Sequence, residues 1–205
     1  MRFVFKTSYN QDIQLFRDKV DMSWYVLLGL LVLALPFVMS SYYAGETAWV
    51  FIYGICGVSL MVLVGYTGLV SLGHAAFLGI GAYAHAYFLE HGVPWLGSVA
   101  LAVVITTVCG IVVGLPALRM TGIYLTIATL AFSIIIAEVF SRWESVTHGF
   151  AGKAVPKAEV FGISFADERA YYYLCLFFLV IVLWLTRNLL RSPTGRAWIR
   201  SEEHT

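Results

Sequence analysis

The sequence predicts an all-α fold: a polytopic membrane protein with about six transmembrane helices and both termini in the cytoplasm. Three observations predict it. Of 205 residues, 60% are hydrophobic and only 12% charged, against roughly 25% charged in an average soluble chain, too few to cover a globular surface. The apolar residues gather in uncharged stretches long enough to cross a hydrocarbon layer of about 30 Å. Lys and Arg are divided unequally between the two sets of loops that those stretches create.

Residues 1–21 form a cytoplasmic or interfacial N-terminal segment, read either as a surface helix with Ile13, Phe16 and Val20 on one side or as a solvated tail. A transmembrane domain occupies residues 22–190. Its first span is centred on Trp24 to Met39, and no small-x-small cleavage site follows it as in a signal peptide. The uncharged run from Thr47 to Leu89 is two spans joined by a very short turn near Gly65 to Gly68. Span four starts at Pro94, a residue suited to a first helical turn, and runs to about Leu115, where Pro116 and Arg119 stop it. Span five covers roughly Thr121 to Phe140, an external polar loop covers about 141–169, and span six covers Ala170 to Thr186. Residues 191–205 are a basic tail.

With six spans, one side holds Arg2, Lys6, Arg17, Lys19, Arg119, Arg187, Arg191, Arg196 and Arg200, and the other only Arg142, Lys153, Lys157 and Arg169. Nine against four places both termini in the cytoplasm by the tendency of basic residues to stay inside. Trp24, Tyr42, Tyr43, Trp49, Tyr87, Trp95, Trp143, Tyr171 and Trp184 lie mostly near span ends, as interfacial anchors do. A net charge of +1 offers no surface for nucleic acid. Cys56, Cys109 and Cys175 are odd in number and lie in apolar runs, which fits small buried residues and neither a disulfide framework nor a zinc cluster.

The stretch from Gly65 to Glu90 puts five glycines and two histidines into what should be plain membrane helix. Gly65, Gly68, Ser71, Gly73, His74, Gly79 and Gly81 are candidates for a helix break or for lining a substrate pathway beside it. Ser71, Ala75 and Gly79 recur every four residues as a small-residue ridge, and Gly110 and Gly114 form a GxxxG, both patterns that let helices pack closely. His74 and His85 share a face of an unbroken helix; His74 either lines the pathway or ties two helices by a hydrogen bond. Thr121, Tyr124, Thr126, Thr129 and Ser133 put hydroxyls along span five; each alone can bond its own backbone, and together they could wet one side of a channel. No glycine-rich loop ends in Lys-Ser or Lys-Thr, so no nucleotide-hydrolysis site and no bound cofactor are expected, and no metal-ligand spacing is present.

Three segments carry a family resemblance: GLVSLGHAAFLGIGAYAHA from Gly68 to Ala86, LPALRMTGIYLTIATLAFSIII from Leu115 to Ile136, and RSPTGRAW from Arg191 to Trp198. Between about Val20 and Trp198 the chain resembles the LivM type of permease, a membrane subunit of branched-chain amino acid ABC importers. The resemblance implies a substrate-conducting subunit in the bacterial inner membrane. Its partners would be a LivH-like permease subunit, two ATP-binding subunits and a periplasmic substrate-binding protein, with ATP bound on the partners. It also implies that Arg191, Pro193, Gly195 and Arg196 lie on the side that couples to the ATPases. In such permeases this segment leads into a coupling helix, so the chain reads as an N-terminal portion truncated before it.

The residues alone leave other classes open. A membrane enzyme would need clustered ionisable groups, for which Glu138, Arg142, Glu144 and His148 are the candidates. The alternatives to a conducting amino acid permease are a non-conducting assembly subunit, contributing helix packing without a pathway, and a permease for amides or urea.

Overall fold

The computed structural model describes residues 19–117, 119–120, 122–156, 159–160, 163–165, 167–192 and 195. Helix α1 (Lys19–Val38) encloses Pro36, and after a break at Met39 and an extended Ser40 the chain enters α2 (Ser41–Thr67). α2 ends where Gly68 takes the left-handed conformation, φ 63°, which a residue without a Cβ adopts at little cost. α3 (His74–Glu90) follows, then a turn at Gly92 (φ 79°), α4 (Trp95–Ala117), Gly122 (φ 55°) and α5 (Ile123–Arg142). The polar loop after α5 holds a one-turn helix α6 (Glu144–Thr147), a 3₁₀ turn at Gly149–Ala151 and a two-stranded antiparallel ribbon of β1 (Glu159–Val160) and β2 (Ile163–Ser164). The last helix, α7, is Glu168–Arg191.

Among the described residues the fold is therefore helical apart from that ribbon, an addition to the all-α expectation. Among the described residues four helices, α2, α4, α5 and α7, are long and apolar enough to cross a membrane. The segments read as spans one and three are helical but shorter: the apolar part of α1 is Ser23–Val38, and α3 has 17 residues, about 26 Å at 1.5 Å per residue. The expected turn at Gly65 to Gly68 is a longer break that runs on to Gly73, and this shortens α3. Gly65 itself stays inside α2. The surface helix with Ile13 and Phe16 lies outside the described residues, as does the side chain of Val20.

The helices pack as two groups. In one, α2 lies along α7, with the Phe51 and Tyr172 rings edge to face at 4.9 Å and Gly54 opposite Leu179. α1 is held to α7 through the Tyr172 and Tyr173 hydroxyls. In the other, α3 lies along α4, and α5 joins them through stacked Phe77 and Phe132 and stacked Tyr83 and Phe140. Small residues fill the contacts: Ala44, Ala48, Ala76, Ala86, Ala102 and Ser98 are buried, as expected where helices approach closely without a hydrophobic force to drive them. Leu, Ile, Val and Phe along α1, α4, α5 and α7 are largely exposed, the pattern of a lipid-facing surface. Between the groups, the Ser59–His74 hydrogen bond and the Trp95–Phe178 ring contact at 6.0 Å cross a thin seam.

Candidate functional site

The break between α2 and α3 is the feature that a plain membrane helix would lack. Ser59 lies eight residues before the end of α2, about 12 Å back along the helix, and its Oγ is 2.6 Å from Nε2 of His74, the first residue of α3. The non-helical segment from Gly68 to Gly73 therefore climbs back along the bundle, and α3 begins well inside the length of α2. Non-helical backbone at that depth is tolerated where protein or a water-lined cavity satisfies its polar groups.

α5 provides that satisfaction. The Leu72 N–H donates to Thr129 Oγ1 at 3.0 Å, Thr129 Oγ1 donates to the Thr126 carbonyl, and Thr126 Oγ1 donates to the Val70 carbonyl at 3.3 Å. The Gly73 N–H donates to Ser71 Oγ at 3.3 Å, and the Gly73 carbonyl accepts from Ala76. Gly73 is buried, and a Cβ there would stand 3.1 Å from the Thr129 carbonyl oxygen. The start of α3 sits against α5, so any side chain at Gly73 would need the Thr129 carbonyl to give by a few tenths of an ångström. The sequence reads the two threonines as hydroxyls that bond their own helix or together wet a channel; Thr126 does bond the Gly122 carbonyl, but both also reach across 56 and 57 residues to hold the break.

Both histidines tie helices. Ser59 donates its proton to the Cys56 carbonyl at 2.8 Å, so its oxygen accepts from His74 Nε2–H, joining α3 to α2. Ser98 likewise donates to the Trp95 carbonyl, so His85 Nδ1–H donates to Ser98 Oγ at 2.7 Å, joining α3 to α4. Nothing in the spacing of Ser59 and Ser98 marked them as partners.

The packing expectations are partly corrected. Gly79 does lie at a close contact, where a Cβ would stand 2.6 Å from Cε2 of Phe140, and Gly81 faces Thr106 Oγ1 at 3.3 Å. The four-residue ridge does not form, because Ser71 lies in the break, before the helix starts, and Ala75 is exposed while Ala76 is buried. At Gly110 a Cβ would meet only Phe77, at 3.9 Å, and at Gly114 it would meet nothing within 4 Å, so this GxxxG makes no close helix contact here. Gly65 has only Met61 of its own helix nearby.

At the end of the bundle where α3 and α5 finish, Glu138 and Arg142 form an ion pair along α5, while His148 faces Glu90 at 3.8 Å. The four ionisable groups considered for an enzyme therefore do not converge. Instead, Lys153, with its side chain only 5% exposed, pairs with Glu90, donates to the Val146 carbonyl at 3.3 Å and lies 5.2 Å from the Tyr87 ring centroid. The hydrogen bond from Lys153, with the nearby His148 and His91, holds the Glu90 carboxyl below the usual carboxylate range against the opposing effect of burial. Among the described residues no three His, Cys, Asp or Glu side chains converge as metal ligands would.

At the opposite end, Arg191 is the last residue of α7, and the Gly195 N–H donates to Ser192 Oγ at 3.3 Å. A Cβ on Gly195 would stand 2.5 Å from the Leu189 carbonyl oxygen. Pro193 and Arg196 lie outside the described residues.

Residues 42–203 match the family model described as branched-chain amino acid transport system / permease component. The high-affinity branched-chain amino acid transport system permease proteins LivM of Salmonella typhimurium and of Escherichia coli are each 33% identical over 207 residues, covering 86% of this chain and 48% of the relative. The chain thus spans about half the length of the curated relatives it matches. No solved structure matches. With 162 consecutive residues under the family model, from the start of α2 through the break and past α7, the chain belongs to the branched-chain amino acid transport permease family.

Proposed function

We propose that the chain forms part of the substrate-conducting permease of an ABC importer for branched-chain or related amino acids, in a bacterial inner membrane. It crosses the membrane six times with both termini in the cytoplasm. A LivH-like permease subunit, two ATP-binding subunits and a periplasmic binding protein complete the importer, and ATP is bound by those partners. This chain binds no cofactor and performs no chemistry itself. The observation that carries this reading is the break from Gly68 to Gly73: non-helical backbone held at membrane depth by Thr126 and Thr129 is what a pathway-lining segment requires. The six-span path is supported by the level at which helix ends meet: Tyr172 and Tyr173, near the start of α7, bond α1 near its end, and Gly45, near the start of α2, lies beside Glu168. One observation favours the non-conducting assembly subunit: His74 bonds Ser59 and acts there as a tie.

Affinity purification of the tagged chain, co-expressed with the other subunits, tests the reading. It should bring down the LivH-like and ATP-binding subunits, and recovery of the chain without them would refute it. Competition of leucine uptake in the assembled importer by valine and isoleucine, but not by amides or urea, would fix the substrate class.

A further inference from the structure

Pro36 stands inside α1 and is fully buried. Proline has no backbone N–H, so the carbonyl four residues earlier, that of Val32, has no helical donor, and in hydrocarbon no water takes its place. α7 brings a donor to that atom. The Tyr172 hydroxyl donates to the Val32 oxygen at 2.8 Å, and the Tyr173 hydroxyl donates to the adjacent Leu33 oxygen at 2.8 Å. Both bonds span 140 residues of sequence. Tyr172 is wholly buried, with its ring edge to face against Phe51 of α2 at 4.9 Å and against Tyr173 at 5.5 Å, so packing fixes the aim of its hydroxyl. A phenylalanine would fill the same space; the hydroxyl is needed because Pro36 frees the carbonyl.

We propose that Tyr172 replaces the hydrogen bond Pro36 removes and, with Tyr173 on the adjacent carbonyl, forms a latch that fastens the Pro36 end of α1 to α7 at the point where α1 is weakest. Beyond Pro36 the helix continues only through Phe37 and Val38, which are 77% and 88% exposed, before the chain turns into α2. The latch therefore also sets where α2 begins, and makes α1, α2 and α7 one body at this end. With the latch open, α1 would have a hinge at Pro36 and an unpaired carbonyl in the membrane.

The test is a double-mutant square on the full chain, purified in detergent, with thermal unfolding as the readout: wild type, Tyr172→Phe, Pro36→Ala, and both together. In Pro36→Ala the alanine's own N–H can bond the Val32 oxygen, and any cavity left by the lost ring is present in both halves of the square. Tyr172→Phe should lower the Tm by several degrees when Pro36 is present and by clearly less in the Pro36→Ala background. An equal loss in both backgrounds would overturn the latch. If Tyr172→Phe alone yields no folded protein, Pro36→Ala/Tyr172→Phe should restore it, and failure to restore it would overturn the proposal as well.

Discussion

Gly79 is the position where the packing of α3 can be tested most sharply. An added Cβ would lie 2.6 Å from Cε2 and 3.4 Å from Cζ of Phe140, where ordinary contact begins at 3.4 Å. The Phe140 ring has little room to retreat, because Tyr83 stacks on it with centroids 4.6 Å apart. Gly79→Ala forces a shift of close to an ångström at one ring edge, and Gly79→Leu must displace the ring or separate α3 from α5. Overpacking of this kind costs about 1–3 kcal/mol, with alanine at the lower end and leucine at the upper. For a chain of this size each kcal/mol moves Tm by about 2–4 °C. Thermal unfolding in detergent should therefore show losses of about 2–12 °C, larger for leucine. Leu78→Ile, at an exposed position next to it, conserves volume and should leave Tm nearly unchanged. Phe140→Leu combined with Gly79→Ala should recover part of the loss, since it removes the atoms that clash. If Gly79→Leu and Leu78→Ile were equally stable, the close contact between α3 and α5 would not exist.

The remaining predictions concern the ties and the ends. His74→Leu and Ser59→Ala each remove one side of the α2–α3 hydrogen bond, so their effects on Tm should be non-additive by about 0.5–2 kcal/mol; simple additivity in the double variant would mean that the bond contributes nothing. The Glu90 carboxyl is held below its ordinary range in the folded protein, so the stability that its pairing with Lys153 gives is fully present above the unfolded carboxylate value and lost as pH falls through the lowered one. Tm should decline below the ordinary carboxylate range, and Glu90→Gln should lower Tm at neutral pH and flatten that decline; an unchanged acid limb would refute the assignment. A cysteine at Lys157 should react with an impermeant thiol reagent from outside the cell, and one at Arg196 only after the membrane is opened; the reverse would invert the topology.

How far the sequence discloses this protein depends on the range of the interaction involved. Helix positions were readable because hydrophobic runs and their stops are local: Pro94, Gly68 and the charged flanks lie within a turn or two of the ends observed. The break was signalled by its glycines, but its extent to Gly73 was not, because that depends on Thr126 and Thr129, more than fifty residues away, bonding its backbone. The ridge of Ser71, Ala75 and Gly79 failed for the same reason: periodicity assumed one continuous helix, and the helix starts at His74. Gly110 and Gly114 had the right spacing, yet no neighbour comes close enough to need it. The partners of His74 and His85 are serines that no motif marks, and the Glu90–Lys153 pair joins a helix end to a loop that the sequence showed only as polar.

Uptake tests most directly the proposed role of this chain as a conducting, broken-helix segment of an amino acid importer. The aligned half of a LivM relative can be replaced by this chain, expressed with the other subunits in cells lacking their own importer, and supplied with labelled leucine. Uptake should be restored in this hybrid. Gly73→Val, which places a branched side chain where a Cβ already meets the Thr129 carbonyl oxygen at 3.1 Å, should abolish it while the complex still assembles. A hybrid that assembles and hydrolyses ATP but takes up no leucine, or one indifferent to Gly73→Val, would contradict the account.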